Sequence, residues 1–398
     1  MYSIMRKSNL HVLHELNQIQ KVLSDLHVID ELEPYYRWIK DSCIQFQSMA
    51  RRNLSLIGLR RDEVIEDILS ETQTLTRNFN LLNQRLLGPL MRSRASDRLC
   101  LSILRWLHRQ HSQTTQLPIA LSDSEFSVWP NPPIPIIYFL PVSLQNGLLY
   151  LPLFFHEFGH VLYACHKQEM NDLVRELQQS LEELLAPVSQ RNDPHAFVVA
   201  ERTRKIIENW HPWSQEIFCD AVGLTIGGPA FLNAFSAYFR MLGKGVFHQS
   251  SNDLEVSRHP VAWIRIQLLV DRAKKIGLQA EAAEIEKEWE KIAGALEQPE
   301  DYYGYYESTF LPIVEKTIDL MLIEANPNSF TATDTSNNAW KESSTPIHMM
   351  NEAWKMFSDS PEKYPQWESE TIKLYLASIS RIPAHSRPPS KVIVQNPT

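Results

Sequence analysis

Two histidines and a glutamate, His156, Glu157 and His160, stand in the order H-E-F-G-H within LPLFFHEFGHVLYACH, residues 151–166. On an α-helix, residues four apart share a face, so both imidazoles can reach one metal ion. Glu157 lies about 100° round the helix from His156 and borders that face. A base for a metal-activated water must sit there. The chemistry such a pattern serves is hydrolysis: the metal polarises a carbonyl and acidifies a water, and the carboxylate carries the proton to the leaving group. Phe154, Phe158, Val161, Leu162 and Cys165 repeat at helical spacing on the opposite face and predict an apolar stripe. Pro152 suits the first turn of the helix, and Gly159 leaves room for close approach of substrate or backbone.

Two histidines do not complete a catalytic zinc site, which takes three protein ligands and an open position. Two residues compete for the third place. Glu216 in Q-E-I-F-C-D stands four before Asp220 on an otherwise apolar predicted helix. Glu216 would ligate, and Asp220 would accept the outer N–H of a ligating histidine. Acids buried in such a helix need partners. His166 falls ten residues after His156, the third-histidine position of H-E-x-x-H-x-x-G-x-x-H. Tyr163 occupies the place where that pattern turns on Gly. Without the turn, His166 points off the site face, toward the surface or the outer rim of the site.

Taken together, H-E-F-G-H, E-I-F-C-D-A-V-G-L (216–224) and H-P-V-A-W-I-R-I (259–266) resemble the gluzincin metallopeptidases. The nearest kin in pattern are the soluble relatives of the CAAX prenyl endopeptidases. The resemblance covers residues 136–269. It implies that His156, His160 and Glu216 bind zinc and that Glu157 is the general base. It also implies that Asp220, His259 and Arg265 support them. His259 then has two roles open to it. It donates to the substrate carbonyl as charge develops, or it caps and packs the start of the helix that follows. The membrane-spanning segments of the prenyl endopeptidases have no counterpart here, so prenylated substrates do not carry over.

The elements that must position these residues are mostly helices. Apolar periodicity predicts helices over 9–33, ended by Pro34, then 35–52, 62–87 as the longest, and 96–111. This N-terminal region, 1–115, reads as a helical bundle and a possible surface for a protein partner. Residues 116–146 change character, and Ile134–Leu140 (IPIIYFL) predicts a strand. Proline at its start places it on a sheet edge, where free backbone groups can pair with an extended peptide. After the metal helix come helices over 168–186 and 195–210, a turn at Trp210–Trp213 around Pro212, and a new helix from Ser214. Further helices follow over 230–241, 278–297 and 305–324. The polar stretch 325–346 reads as a lid or a linker. Short helices over 347–358 and 366–380 and a disordered tail from about 383 complete the chain.

The chain has 398 residues, and Lys+Arg 39 against Asp+Glu 47 leaves −8, which gives no basic surface for nucleic acid. Cys43, Cys100, Cys165 and Cys219 are scattered and form no metal or disulfide pattern. The N-terminus lacks the apolar core of a signal peptide, and Leu148–Phe155 is too short to span a bilayer. A cytoplasmic protein without an integral membrane segment is expected. The expected fold is mainly α (α+β): the helical region 1–115, a zincin-like metallopeptidase domain 116–325 with a small edge-strand sheet, and a C-terminal segment 326–398. The expected function is zinc-dependent endopeptidase action on a protein or peptide. Two alternatives remain: a zinc amidase or esterase acting on a non-peptide bond, and a non-catalytic interaction protein with a structural zinc.

Overall fold

The computed structural model describes residues 1–59, 64–92, 97–114, 118–122, 125–130, 135–144, 147–185, 196–241, 247–296, 302–329 and 346–379. The fold is mainly α with one small sheet. In chain order α1 is Tyr2–Ser24, α2 Glu33–Leu59, α3 Ile65–Leu81, α4 Gly88–Arg92 and α5 Arg98–Arg109. The strands β1 (Pro118–Ser122), β2 (Ser127–Trp129) and β3 (Ile136–Leu140) follow. Then come α6 (Phe154–Cys165), α7 (Lys167–Leu185), α8 (Ala196–Gly227), α9 (Pro229–Met241) and α10 (Ser251–Val256). The last are α11 (Ala262–Lys275), α12 (Gln279–Leu296), α13 (Leu311–Ala325), α14 (Pro346–Asp359) and α15 (Tyr364–Ile379).

Helices α1 and α2 run antiparallel. Asn53 bonds to Asn9 near one end of the pair, and Gln47 bonds to Asn17 and Gln20 further along. α3 joins them through Ile68, Thr72, Leu75 and Phe79, all buried, and Asn9 Nδ2 donates to Thr72 Oγ1 at 2.9 Å. Pro34 opens α2 rather than ending α1, because proline lacks only an N–H that a first turn leaves unused. α2 and α8 are both longer than α3. One main apolar core runs from Val12 of α1 through the sheet and α6 to Tyr375 of α15.

The sheet corrects the expected edge strand. β3 is central: β1 pairs with it in parallel, Pro118 opposite Ile136, and β2 pairs antiparallel, Trp129 opposite Ile137. Ile136, Ile137, Tyr138 and Leu140 are all buried. A continuous apolar run, rather than an alternating one, is the mark of a strand covered on both faces. The free edge that packs beside α6 belongs to the three-residue β2. β1 (PIALS) lacks the run of β-branched and aromatic residues that marks β3, and β2 has only three residues, so neither announces itself among the prolines of 116–135.

α6 is buried almost all round. Phe154, Phe158, Val161 and Leu162 are enclosed as the apolar stripe requires, while Cys165 at its end is exposed. The Phe158 ring meets His108 edge-on, with centroids 5.1 Å apart. His108 in turn ties α5 to the sheet. Its Nδ1–H donates to the Thr114 carbonyl at 2.9 Å and its Nε2 accepts from Tyr138 at 2.8 Å. Burial lowers the His108 pKa to about 4, which keeps this strut neutral.

α8 is one helix through Pro212, where the sequence suggested a turn. Proline removes one backbone bond from a helix interior. Its neighbours outweigh that loss: Trp210 and Trp213 are fully buried, and their indole N–H groups donate to Tyr305 O at 3.1 Å and Ser257 O at 3.0 Å. Glu216 and Asp220 therefore ride on a rigid helix anchored one turn earlier. The C-terminal helices brace the same region. Trp354 of α14 donates to Leu149 O just before α6, and Asn351 accepts from Ala230 N at the start of α9. The expected lid or linker lies outside the described residues over 330–345, as does the tail after Ile379. Among the described residues no helix is long and apolar enough to cross a membrane.

Candidate metal centre

α6 and α8 cross in contact, and the contact point is Gly159. A Cβ there would stand 2.7 Å from Cys219 Cα and 2.9 Å from Cys219 Cβ. The close approach is thus to backbone: only glycine lets the two helices meet this closely. Gly159 lies between His156 and His160, and Cys219 lies between Glu216 and Asp220. The crossing therefore sets both pairs face to face. Gly159→Ala sets two effects in opposition. Alanine favours a helix interior by about 1 kcal/mol, but a contact of 2.7 Å with backbone must push α6 off α8. We expect the clash to win and the variant to lose about 1–3 kcal/mol of stability, with metal affinity falling alongside. An unchanged urea midpoint would refute the close crossing.

His156, His160 and Glu216 present one ligand atom each, all within 4.8 Å of one another, and can hold a metal ion. His156 Nε2 is 3.4 Å from Glu216 Oε2, and His160 Nε2 is 3.5 Å from Glu216 Oε1. Both Nε2 atoms thus face the carboxylate, and the three ligand atoms surround one point where an ion could sit. Two imidazoles and one carboxylate are a donor set that zinc accepts. Glu216, not His166, completes the group. α6 ends at Cys165, and His166 Nδ1 turns to Glu324 at 3.1 Å.

The outer nitrogen of His156 is held by a chain of charge. Its Nδ1–H donates to Asp220 Oδ1 at 2.8 Å, and Arg265 clamps Asp220 with two bonds, Nε to Oδ2 at 2.8 Å and Nη2 to Oδ1 at 2.6 Å. Arg265 Nη2 also lies 3.4 Å from Glu216 Oε2. The guanidinium packs against two aromatic rings, with the Phe235 and Phe239 centroids both 5.1 Å from Cζ, a favourable setting for a desolvated cation. All four side chains, His156, Glu216, Asp220 and Arg265, are buried. Arg265 and α9's aromatic face therefore complete the site from outside the two helices that carry the ligands.

Electrostatics separates the two histidines. Burial alone would lower the His156 pKa, but the hydrogen bonds to Asp220 and Glu216 outweigh it and raise it to about 10. Burial lowers His160 to about 4, helped by the charge of His156. Glu216 is pushed up by burial but drawn well below its ordinary value by His156 and Arg265. At neutral pH His156 therefore holds a proton, which a metal ion at its Nε2 would have to displace. Glu157 is buried beside the pair and accepts no hydrogen bond from the described residues. Burial raises its pKa to about 7, near the value a general base needs.

His259 sits at the rim. Its side chain is 61% exposed, and Nε2 is 3.5 Å from Glu216 Oε1. It does not cap a helix: α11 starts at Ala262 with Val261 in the cap position, so Pro260 also lies ahead of the first turn. Ser257 Oγ–H donates to the His259 carbonyl at 2.7 Å and steadies this bend. Phe235 and Phe239 escaped the sequence reading, since aromatic residues in an apolar helix carry no sign of what they stack on. Gln215 escaped it too, because its partner His160 is on another helix. The chain matches no protein-family model, no curated protein and no solved structure.

Proposed function

We propose that the protein is a zinc-dependent endopeptidase of zincin-like architecture. The observation that carries this reading is the convergence of His156, His160 and Glu216 on one point, with the buried carboxylate of Glu157, which accepts no hydrogen bond from the described residues, beside them. A structural zinc is the weaker reading, because such sites close with four protein ligands and three converge among the described residues. When bound, zinc acts as a Lewis acid and acidifies water. Glu157 takes the proton of the attacking water and passes it to the leaving amine. His259, exposed at the rim, donates an N–H to the carbonyl oxygen as charge develops. The free edge of β2 offers backbone groups to an extended peptide. This supports a protein or peptide substrate.

One zinc per chain is expected. His156→Ala and His160→Ala should abolish binding, and Glu216→Ala should weaken it strongly. The zinc-loaded protein should cleave fluorogenic peptides, lose activity to a chelator and regain it with zinc. Full zinc content in the double-histidine variant would sink the site. A loaded wild type that cleaves no member of a diverse peptide library would sink the peptidase.

A further inference from the structure

The two ligating histidines are held differently. Asp220, itself clamped by Arg265, fixes the outer nitrogen of His156. The outer nitrogen of His160 faces a neutral group: Gln215 Nε2 lies 3.4 Å from His160 Nδ1. Gln215 precedes Glu216 on α8, is half-buried, and makes no other side-chain hydrogen bond among the described residues. His160 Nε2 faces Glu216 Oε1, so Nε2 is its metal side.

An imidazole that ligates through Nε2 must carry its proton on Nδ1, and that N–H needs an acceptor. An amide can serve. A half-turn about the bond that carries the Gln215 amide exchanges its NH₂ for its oxygen at the same place. We propose that Gln215 is a positioning residue for His160 that serves both ring tautomers: its NH₂ donates to Nδ1 before metal binds, and its oxygen accepts from Nδ1–H once Nε2 ligates. This rests on the zinc-site reading above. The physical contrast with Asp220 gives it content. A carboxylate can only accept and so commits His156 to one tautomer. The amide lets His160 change tautomer without leaving a buried nitrogen unpaired, a loss that would otherwise oppose either the free or the loaded state.

Three variants and two readouts test this. Zinc affinity is measured by competition with a chromophoric chelator. The tautomer of His160 in the metal-free protein is read from the ¹⁵N shifts of its ring. Gln215→Leu should bind zinc about 10–100-fold more weakly, as losses of outer hydrogen bonds to ligands do. Wild-type metal-free His160 should show the Nε2–H tautomer, and the leucine variant should lose that preference. Gln215→Glu should restore affinity to wild type or better and turn metal-free His160 to the Nδ1–H tautomer. Gln215→Asn is too short to reach and should resemble the leucine variant. Gln215→Leu within threefold of wild type, or a glutamate variant as weak as leucine, overturns the role of Gln215 alone. A wild type that binds no zinc overturns the metal centre and this inference with it.

Discussion

Glu157→Gln is expected to keep its zinc and its fold and to lose hydrolysis by about 10²–10⁴-fold, the contribution of a positioned acid–base group. The amide has the carboxylate's shape and cannot take the proton of the attacking water. The buried setting adds a second expectation with a definite sign. Burial raises Glu157 from 4.5 to about 7, with Glu216 and Asp220 raising it further and His156 and Arg265 opposing. The folded value lies above the unfolded one, so the native metal-free protein holds a proton that the unfolded chain has released between pH 4.5 and about 7. Stability from this group is complete below the lower value and is lost as pH rises to the upper one. Glutamine carries no charge to bury and escapes that loss. At neutral pH the metal-free variant should therefore be more stable than wild type by on the order of 1–3 kcal/mol, and the two should converge near pH 4. An inactive but stabilised variant separates proton transfer from misfolding. Activity within tenfold of wild type would remove Glu157 as the base. A lower urea midpoint at pH 7 would contradict its buried, raised carboxyl.

Arg265→Met should cost about 3–5 kcal/mol of stability, as removal of one partner from a buried ion pair does. Arg265 supplies both bonds to Asp220 and faces Glu216. Without it two carboxylates share a buried site with His156 as the single compensating charge. Methionine keeps an apolar chain against Phe235 and Phe239, so the loss reports charge and hydrogen bonding more than a cavity. Arg265→Lys keeps the charge but not the fork that grips both Asp220 oxygens, and should fall between the two. The double variant Arg265→Met, Asp220→Asn should lose less than the sum of its parts, because the two residues stabilise one another. Zinc affinity should fall in each single variant, since Asp220 then no longer holds the His156 ring. Urea unfolding at pH 7 and zinc competition measure both effects. A methionine variant within 1 kcal/mol of wild type would mean that solvent, not Arg265, compensates Asp220.

What the sequence determined by itself was local. Helical spacing put His156, Glu157 and His160 on one side of one helix, and Glu216 and Asp220 on one side of another. A mainly α fold followed from the long apolar periodicities, and α3 lies within the helix predicted over 62–87, burying Ile68, Thr72, Leu75 and Phe79. Periodicity reports which residues share a face because a helix repeats every 3.6 residues whatever it packs against. It says nothing of which faces meet. Pattern alone placed Glu216 ahead of His166, but what brings it to His156 and His160 is the Gly159–Cys219 crossing, a contact between residues sixty positions apart. Gln215 became part of the site only when the crossing of α8 and α6 brought it to His160, and Arg265, which the resemblance implied as a supporting residue, met its partner Asp220 only when α11 packed against α8. Continuity through Pro212 depended on two tryptophans buried against distant segments, which outweigh a local breaker. The central place of β3 depended on β1, whose residues carry little strand preference of their own, and on β2, which is three residues long. In these last two cases a non-local contact overrode a local preference of one or a few kcal/mol, and such contacts exist only once the chain has folded.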